Sequence, residues 1–171
     1  MTREEFIEIL EDRGYTYEIE GDKVVVTDKG NIDLRGLKIL PSDIEFRNKG
    51  TVHLNRLIEI PPNISFMNDG NVDLTSLEKL HHSVIFSNKH DVNLNQLVGI
   101  PEGVEFNNHG KVSIGGLEDI HPSVRFNNNG GIYINNDLWN HFFFRSWIGA
   151  RLDGINSTML LNLMIKRGLF I

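Results

Sequence analysis

The residues with most capacity for chemistry in this 171-residue chain are seven histidines and a set of regularly spaced carboxylates. Asp33, His53, Asp73, Asn93, Ser113 and Tyr133 recur at intervals of 20. If the chain coils with that period, they form one outward column with neighbours about 4.8 Å apart. His53 then sits between two carboxylates, which is the beginning of a weak metal or acid/base site. The plainer reading is a ladder of surface charge pairs, because no nucleophile accompanies it. His81 and His121 lie two periods apart, on the order of 10 Å, too far to share a zinc whose ligands stand about 2 Å away. His81 and His82 are adjacent, with side chains expected to diverge. Metalloprotease, zinc-thiolate, calcium-loop, dinucleotide, phosphate-loop and nucleophile-elbow motifs are missing, and there is no cysteine. The carboxylate pairs Asp43/Glu45 and Glu118/Asp119 have no pocket implied around them. No catalytic residue, metal or cofactor is expected. A small hydrolase working through Asp33, His53 and Asp73 is the enzymatic alternative.

The element that must position such a column is a repeat. From Gly21 the sequence aligns with itself in blocks of 20 without a gap, through 101–120 and a degenerate 121–140. Position four reads Val24, Ile44, Ile64, Val84, Val104, Val124, and position six reads Val26, Phe46, Phe66, Phe86, Phe106, Phe126. Position twelve reads Ile32, Val52, Val72, Val92, Val112, Ile132, and position fourteen reads Leu34, Leu54, Leu74, Leu94, Ile114, Ile134. Leucines recur at 37, 57, 77, 97 and 117, and an L-x-x-I step often leads into proline. Alternation in β-branched and aromatic residues is strand periodicity, and Asn-x-Gly between the runs is a turn signal. Each block is expected to make two short strands and two corners. One block cannot bury its own apolar face, so blocks must stack as a solenoid. Six coils would make a rod on the order of 30 Å long. No insertion interrupts the blocks, so any site must come from side-chain columns or from the two ends.

Two columns read as structural. Asn48, Asn68, Asn88, Asn108 and Asn128 are expected to satisfy turn backbone groups and one another. Gly30, Gly50, Gly70, Gly110 and Gly130 fit a corner of positive φ, with His90 marking an altered turn.

A solenoid needs its end coils covered. Thr2 and Glu5 form a capping box, and Phe6, Ile7 and Leu10 share a face, which predicts a helix over 2–13 ended at Gly14. A strand over 15–20, a turn at Gly21-Asp22 and a strand over 23–28 complete an N-terminal cap over residues 1–22. That cap holds eight acids and two bases, so it carries the chain's entire net charge of −6. A solvated face that discourages end-to-end stacking explains this, and a docking patch for a basic partner is the sharper reading. The repeats occupy 23–135. Residues 136–171 gather Leu138, Trp139, Phe142, Phe143, Phe144, Trp147 and Ile148, then a helical spacing over 159–167 stopped at Gly168. They read as a hydrophobic cap or as an interface. The whole is one domain: mainly β, a leucine-rich-repeat-like β-solenoid with a helix/strand cap and a C-terminal helical cap.

Other partner classes find little support. No apolar run approaches the roughly 20 residues needed to span a bilayer, and the acidic first residues lack a secretory apolar region. The repeat body is neutral, and Asp69 interrupts the lysines at 29, 49 and 89, so no nucleic-acid partner is expected. The acids are too sparse and too mixed with bases to mimic DNA. A cytoplasmic protein is expected.

The pattern L-x-x-L-x-x-I-P-x-x-V-x-F-x-N resembles short leucine-rich repeats, with departures: Asn follows Phe by two positions, and a second strand precedes the leucine. The chain is similar more specifically to leucine-rich-like proteins of tailed phages and mobile elements. They share an M-T-R-E-E-F-like start, here Met1–Phe6, the F-x-N-x-G-x-V-x-L repeats, and an L-L-N-x-M-I-x-x-G-x-F ending, here Leu160–Phe170. The resemblance implies a phage or mobile-element setting, hence the host cytoplasm, and supplies no activity to carry over. The expected function is a non-enzymatic protein-binding module that modulates a host or defence protein. Its first contact surface is Asp33, His53, Asp73 and Asn93, and the second is the aromatic end with Trp139, Phe143 and Trp147. Self-assembly into a dimer through that aromatic end is the structural alternative.

Overall fold

The computed structural model describes residues 1–133, and they form a parallel β-solenoid with 20-residue coils behind a helical cap. Helix α1, Arg3–Asp12, starts where Thr2 accepts the Glu5 amide at 3.1 Å and Glu5 accepts the Thr2 amide at 2.7 Å. It ends before Gly14, whose φ of 70° turns the chain away. Strand β1, Tyr17–Glu20, then pairs antiparallel with β2, Lys23–Val26. Phe6 and Leu10 of the helix are fully buried in the core that continues through the coils.

The four coils between residues 41 and 120 each contribute to three rows rather than the two expected. The first row runs from β1 and β2 through Ile44–Phe46, Ser65–Phe66, Ile85–Phe86, Glu105–Phe106 and Arg125–Phe126 as one seven-stranded sheet. The second row stacks Ile32–Asp33, Val52–His53, Val72–Asp73, Val92–Asn93, Val112–Ser113 and Ile132–Tyr133 as one six-stranded sheet. Partners in both rows differ by 20 residues, so each apolar column lies on itself. The third row comes from the L-x-x-I tail. A tight turn after the second strand, Leu57 amide to Leu54 carbonyl at 3.0 Å, leaves straight chain for a third side. Each third-row strand has a single buried position, Ile60, Leu80, Ile100 or Ile120, so no alternation marks it in sequence and only a tail is legible there.

The third row is broken, and one repeat position breaks it. Glu59–Ile60 pairs with Lys79–Leu80, and Gly99–Ile100 pairs with Asp119–Ile120, but these pairs do not join into one sheet. The next corner residue after each strand reads Pro41, Pro61, His81, Pro101, His121. Where it is histidine, its amide donates across the coils: His81 to the Ile60 carbonyl at 3.2 Å and His121 to the Ile100 carbonyl at 2.8 Å. Where it is Pro61 or Pro101 there is no N–H to give, and the ladder lapses.

The interior is a stack. Phe46, Phe66, Phe86, Phe106 and Phe126 lie nearly parallel, with successive centroids 5.3, 5.2, 5.0 and 4.6 Å apart. Beside them the five asparagines are buried, each giving its amide to the glycine-position carbonyl of its own coil, as Asn68 does to Gly70 at 2.9 Å. Asn48, Asn68 and Asn88 also reach the preceding coil, at Gly30, Gly50 and Gly70. The amides do not bond one another, and all five side-chain oxygens lack a protein donor.

The glycine column serves closeness, not positive φ. Positive φ falls instead at Asp43, Asn63, Ser83 and Gly103, one corner away. A Cβ on Gly70 would stand 2.4 Å from the Gly50 carbonyl carbon, and one on Gly110 would stand 2.3 Å from that of His90. Successive corners therefore touch backbone to backbone. His90 keeps the same course, while the Asn88 bond to Gly70 lengthens to 3.3 Å.

Candidate functional site

The second row places the 20-residue column as the spacing implies, because Asp33, His53, Asp73, Asn93, Ser113 and Tyr133 are register partners in sequence. Valine or isoleucine before each faces the core, so these side chains point outward and stay half-buried between neighbours, apart from exposed Tyr133. Thr51, His53, Asn71, Asp73, Asp91, Asn93 and Ser113 line a shallow groove of about 290 Å³.

The symmetry expected around His53 is not there. Its Nδ1 stands 4.0 Å from Asp73 Oδ2, a loose contact. Asp33 turns to its own coil instead, where the Arg35 guanidinium grips its carboxylate and the Arg35 amide donates at 3.2 Å. Those bonds hold the Asp33 carboxyl well below the usual carboxylate range. Its backbone is covered by the cap: the Asp33 amide donates to the Tyr15 hydroxyl at 2.8 Å, and Arg13 donates to the Asp33 carbonyl. Asp73 accepts the Asn55 amide at 2.6 Å, and Asn55 also reaches Thr75 Oγ1 at 3.2 Å. The other Asp73 oxygen is shielded from solvent without a protein donor. Asn93 accepts the Asn95 amide at 3.3 Å, and Lys111 stands 4.3 Å over the Tyr133 ring. Arg35 and Asn55 are the residues that sequence reasoning missed. Both lie two places beyond the column, the spacing that returns a side chain to the same face.

The arrangement is a polar ladder with one poorly satisfied carboxylate beside a histidine. Acid/base work through both aspartates would require Asp33 to leave Arg35. No group of three or more metal-ligating side chains occurs among the described residues. His81 and His82 converge rather than diverge, with ring centroids 3.9 Å apart, because the His81 ring turns back to meet the His82 carbonyl at 3.2 Å. Trp139, Phe143 and Trp147 lie outside the described residues, as does the aromatic cap to which they were assigned.

The acidic end is tied to the first coils through Glu20. Glu20 is paired twice with Arg47, at 2.6 and 2.9 Å, and those bonds lower the Glu20 carboxyl. Arg47 also grips buried Glu45, which takes Lys23 at 3.1 Å. Asp69, the acid that interrupts the lysine column, pairs with Lys89 at 2.8 Å.

These features define the class of the protein: a parallel β-solenoid with three strand rows, a central phenylalanine stack and an N-terminal helix. No family model, curated protein or solved structure matches the chain. The resemblance to leucine-rich-like phage proteins therefore rests on sequence pattern alone, that of Met1–Phe6, the repeats and Leu160–Phe170. No helix among the described residues is long and apolar enough to cross a membrane.

Proposed function

We propose that the chain is a non-enzymatic protein-binding solenoid, a phage-type factor that docks on a host or defence protein in the host cytoplasm and modulates it. The observation that carries this reading is the second-row groove. His53, Asp73, Asn93 and Ser113 present different donors and acceptors at fixed spacing on a continuous sheet. Side chains held by a rigid ladder lose little freedom on binding, and solenoids commonly engage partners along an extended face. The His53 and Asp73 side chains are 29% and 28% exposed, which leaves part of each within reach of a partner's polar groups.

The test is a tagged capture from host lysate beside a variant carrying His53→Ala, Asp73→Ala and Asn93→Ala. One stoichiometric protein retained by the parent and lost with the variant supports the reading. A protein held equally by both moves the contact away from the second row, and capture of none by the parent removes the proposal.

A further inference from the structure

A second groove runs along the third row. Glu59, Glu78, Lys79, Leu80, Val98, Gly99, Ile100, Pro101, Glu102, Asp119 and His121 surround about 750 Å³, more than twice the second-row groove. The proline seam crosses it midway. Between Lys79–Leu80 and Gly99–Ile100, Pro101 has no N–H for the Leu80 carbonyl. The Val98 amide reaches Glu78 only at 3.4 Å, whereas the equivalent Glu78 and Glu118 amides reach Ile58 and Val98 at 2.9 and 2.8 Å.

Gly99 enlarges the opening. A Cβ there meets nothing nearer than the Asp119 carbonyl oxygen at 3.8 Å, and its φ is not in the left-handed region. The backbone therefore does not require glycine at 99. What glycine does is leave a notch between Lys79 and Asp119, the residues one coil below and above. The floor is apolar, with Val98 44% exposed and Ile58 46% exposed beside it. The rim is acidic. Among the described residues, Glu59, Glu78, Glu102 and Asp119 find no ion-pair or side-chain hydrogen-bond partner. Lys79 is the one fixed cation in the lining, and His121 Nδ1 is taken up by Ser123 at 2.8 Å.

We propose that this groove binds an extended basic peptide segment of a partner protein, one that alternates lysine or arginine with aliphatic residues. The fit is of two kinds. Unpaired carboxylates meet the cations. The exposed valine and proline meet the aliphatic side chains. The proposal is independent of the second-row reading, since it uses none of those side chains.

The probe is a fluorescent octapeptide of alternating lysine and valine, titrated into the full chain by anisotropy. Saturable binding is expected, with the glutamate-for-lysine octapeptide failing to bind. A double variant, Glu78→Gln with Asp119→Asn, is expected to weaken binding about fivefold or more. Gly99→Val fills the notch while leaving the carboxylates in place, and is expected to weaken binding comparably. A control double variant in the acidic helix, Glu4→Gln with Glu8→Gln, is expected to stay within about twofold of the parent. Circular dichroism melting of each variant confirms that it folds. Absence of saturable binding, unchanged affinity in both groove variants, or an equal loss in the helix control each overturns the proposal. So does displacement of the peptide by spermine at equal charge concentration, which would reveal attraction to acidity without a shaped site.

Discussion

The second and third rows are built by the same 20-residue repeat and end up with opposite characters. The second row is continuous across six coils and presents a polar column. The third is two separate pairs with a seam between them. The difference lies in one atom at one position of the repeat, the amide hydrogen that His81 and His121 have and Pro61 and Pro101 lack. Missing inter-coil bonds on one side are tolerated because the core holds the coils together from within, through the phenylalanine stack and the buried leucine and isoleucine columns. Backbone bonding is therefore dispensable on one face of this solenoid, and that freedom leaves a face available for binding.

Removing the shared support has the largest effect. Phe86→Ala opens a void between Phe66 and Phe106, whose rings lie 5.2 and 5.0 Å from it. A loss of about 3–5 kcal/mol is expected in urea denaturation, well beyond any change in the third row. Gly110→Ala is next, because its Cβ would strike the His90 backbone at 2.3 Å. A loss of about 1–3 kcal/mol is expected from that overlap.

Moving the seam affects stability much less. His81→Pro deletes the bond to Ile60, worth about 1 kcal/mol, while the added rigidity of proline restores about 0.4–1 kcal/mol. Pro101→Ala does the reverse and gives Leu80 a donor. Melting temperatures of both variants should stay close to the parent's. Amide exchange should change instead: faster at Lys79 in the first variant, slower at Val98 in the second.

The smallest effect concerns the end of the second row. Asp33 has a depressed carboxyl in the folded chain because Arg35 binds it. Its contribution is thus full above the ordinary aspartate value, about 3.9, and is lost as pH falls through the lower folded value. Asp33→Asn should lower the melting temperature slightly at pH 7, and the gap from the parent should close toward pH 2. Only a small gap is expected because the pair is substantially exposed.

Most of the fold was legible because the apolar columns repeat without a gap, and because Thr2, Glu5 and Gly14 are strong helix-end signals. What escaped had local physical causes. A third strand with one buried position, such as Ile60 or Ile100, has no alternation to read. Gly70 and Gly110 announced a special backbone, but a residue type does not say whether it answers to φ or to a neighbour 2.4 Å away. At the candidate site, the column from Asp33 to Ser113 was legible from spacing alone. The partners that decide its chemistry, Arg35 and Asn55, depend on side-chain direction, which spacing does not encode. The corner histidines were visible as replacements for proline, yet their role is carried by the backbone amide, not the imidazole.

The most direct test of this account is residue-resolved amide hydrogen exchange on the intact chain. Ile85, Val92 and Leu94, bonded across coils at 3.0, 2.8 and 2.7 Å, should be strongly protected, as should His121 at 2.8 Å. Val98, at the seam, should exchange markedly faster than all four. Protection of Val98 equal to that of Ile85 would mean the third row is closed there, and would contradict the role given to Pro101.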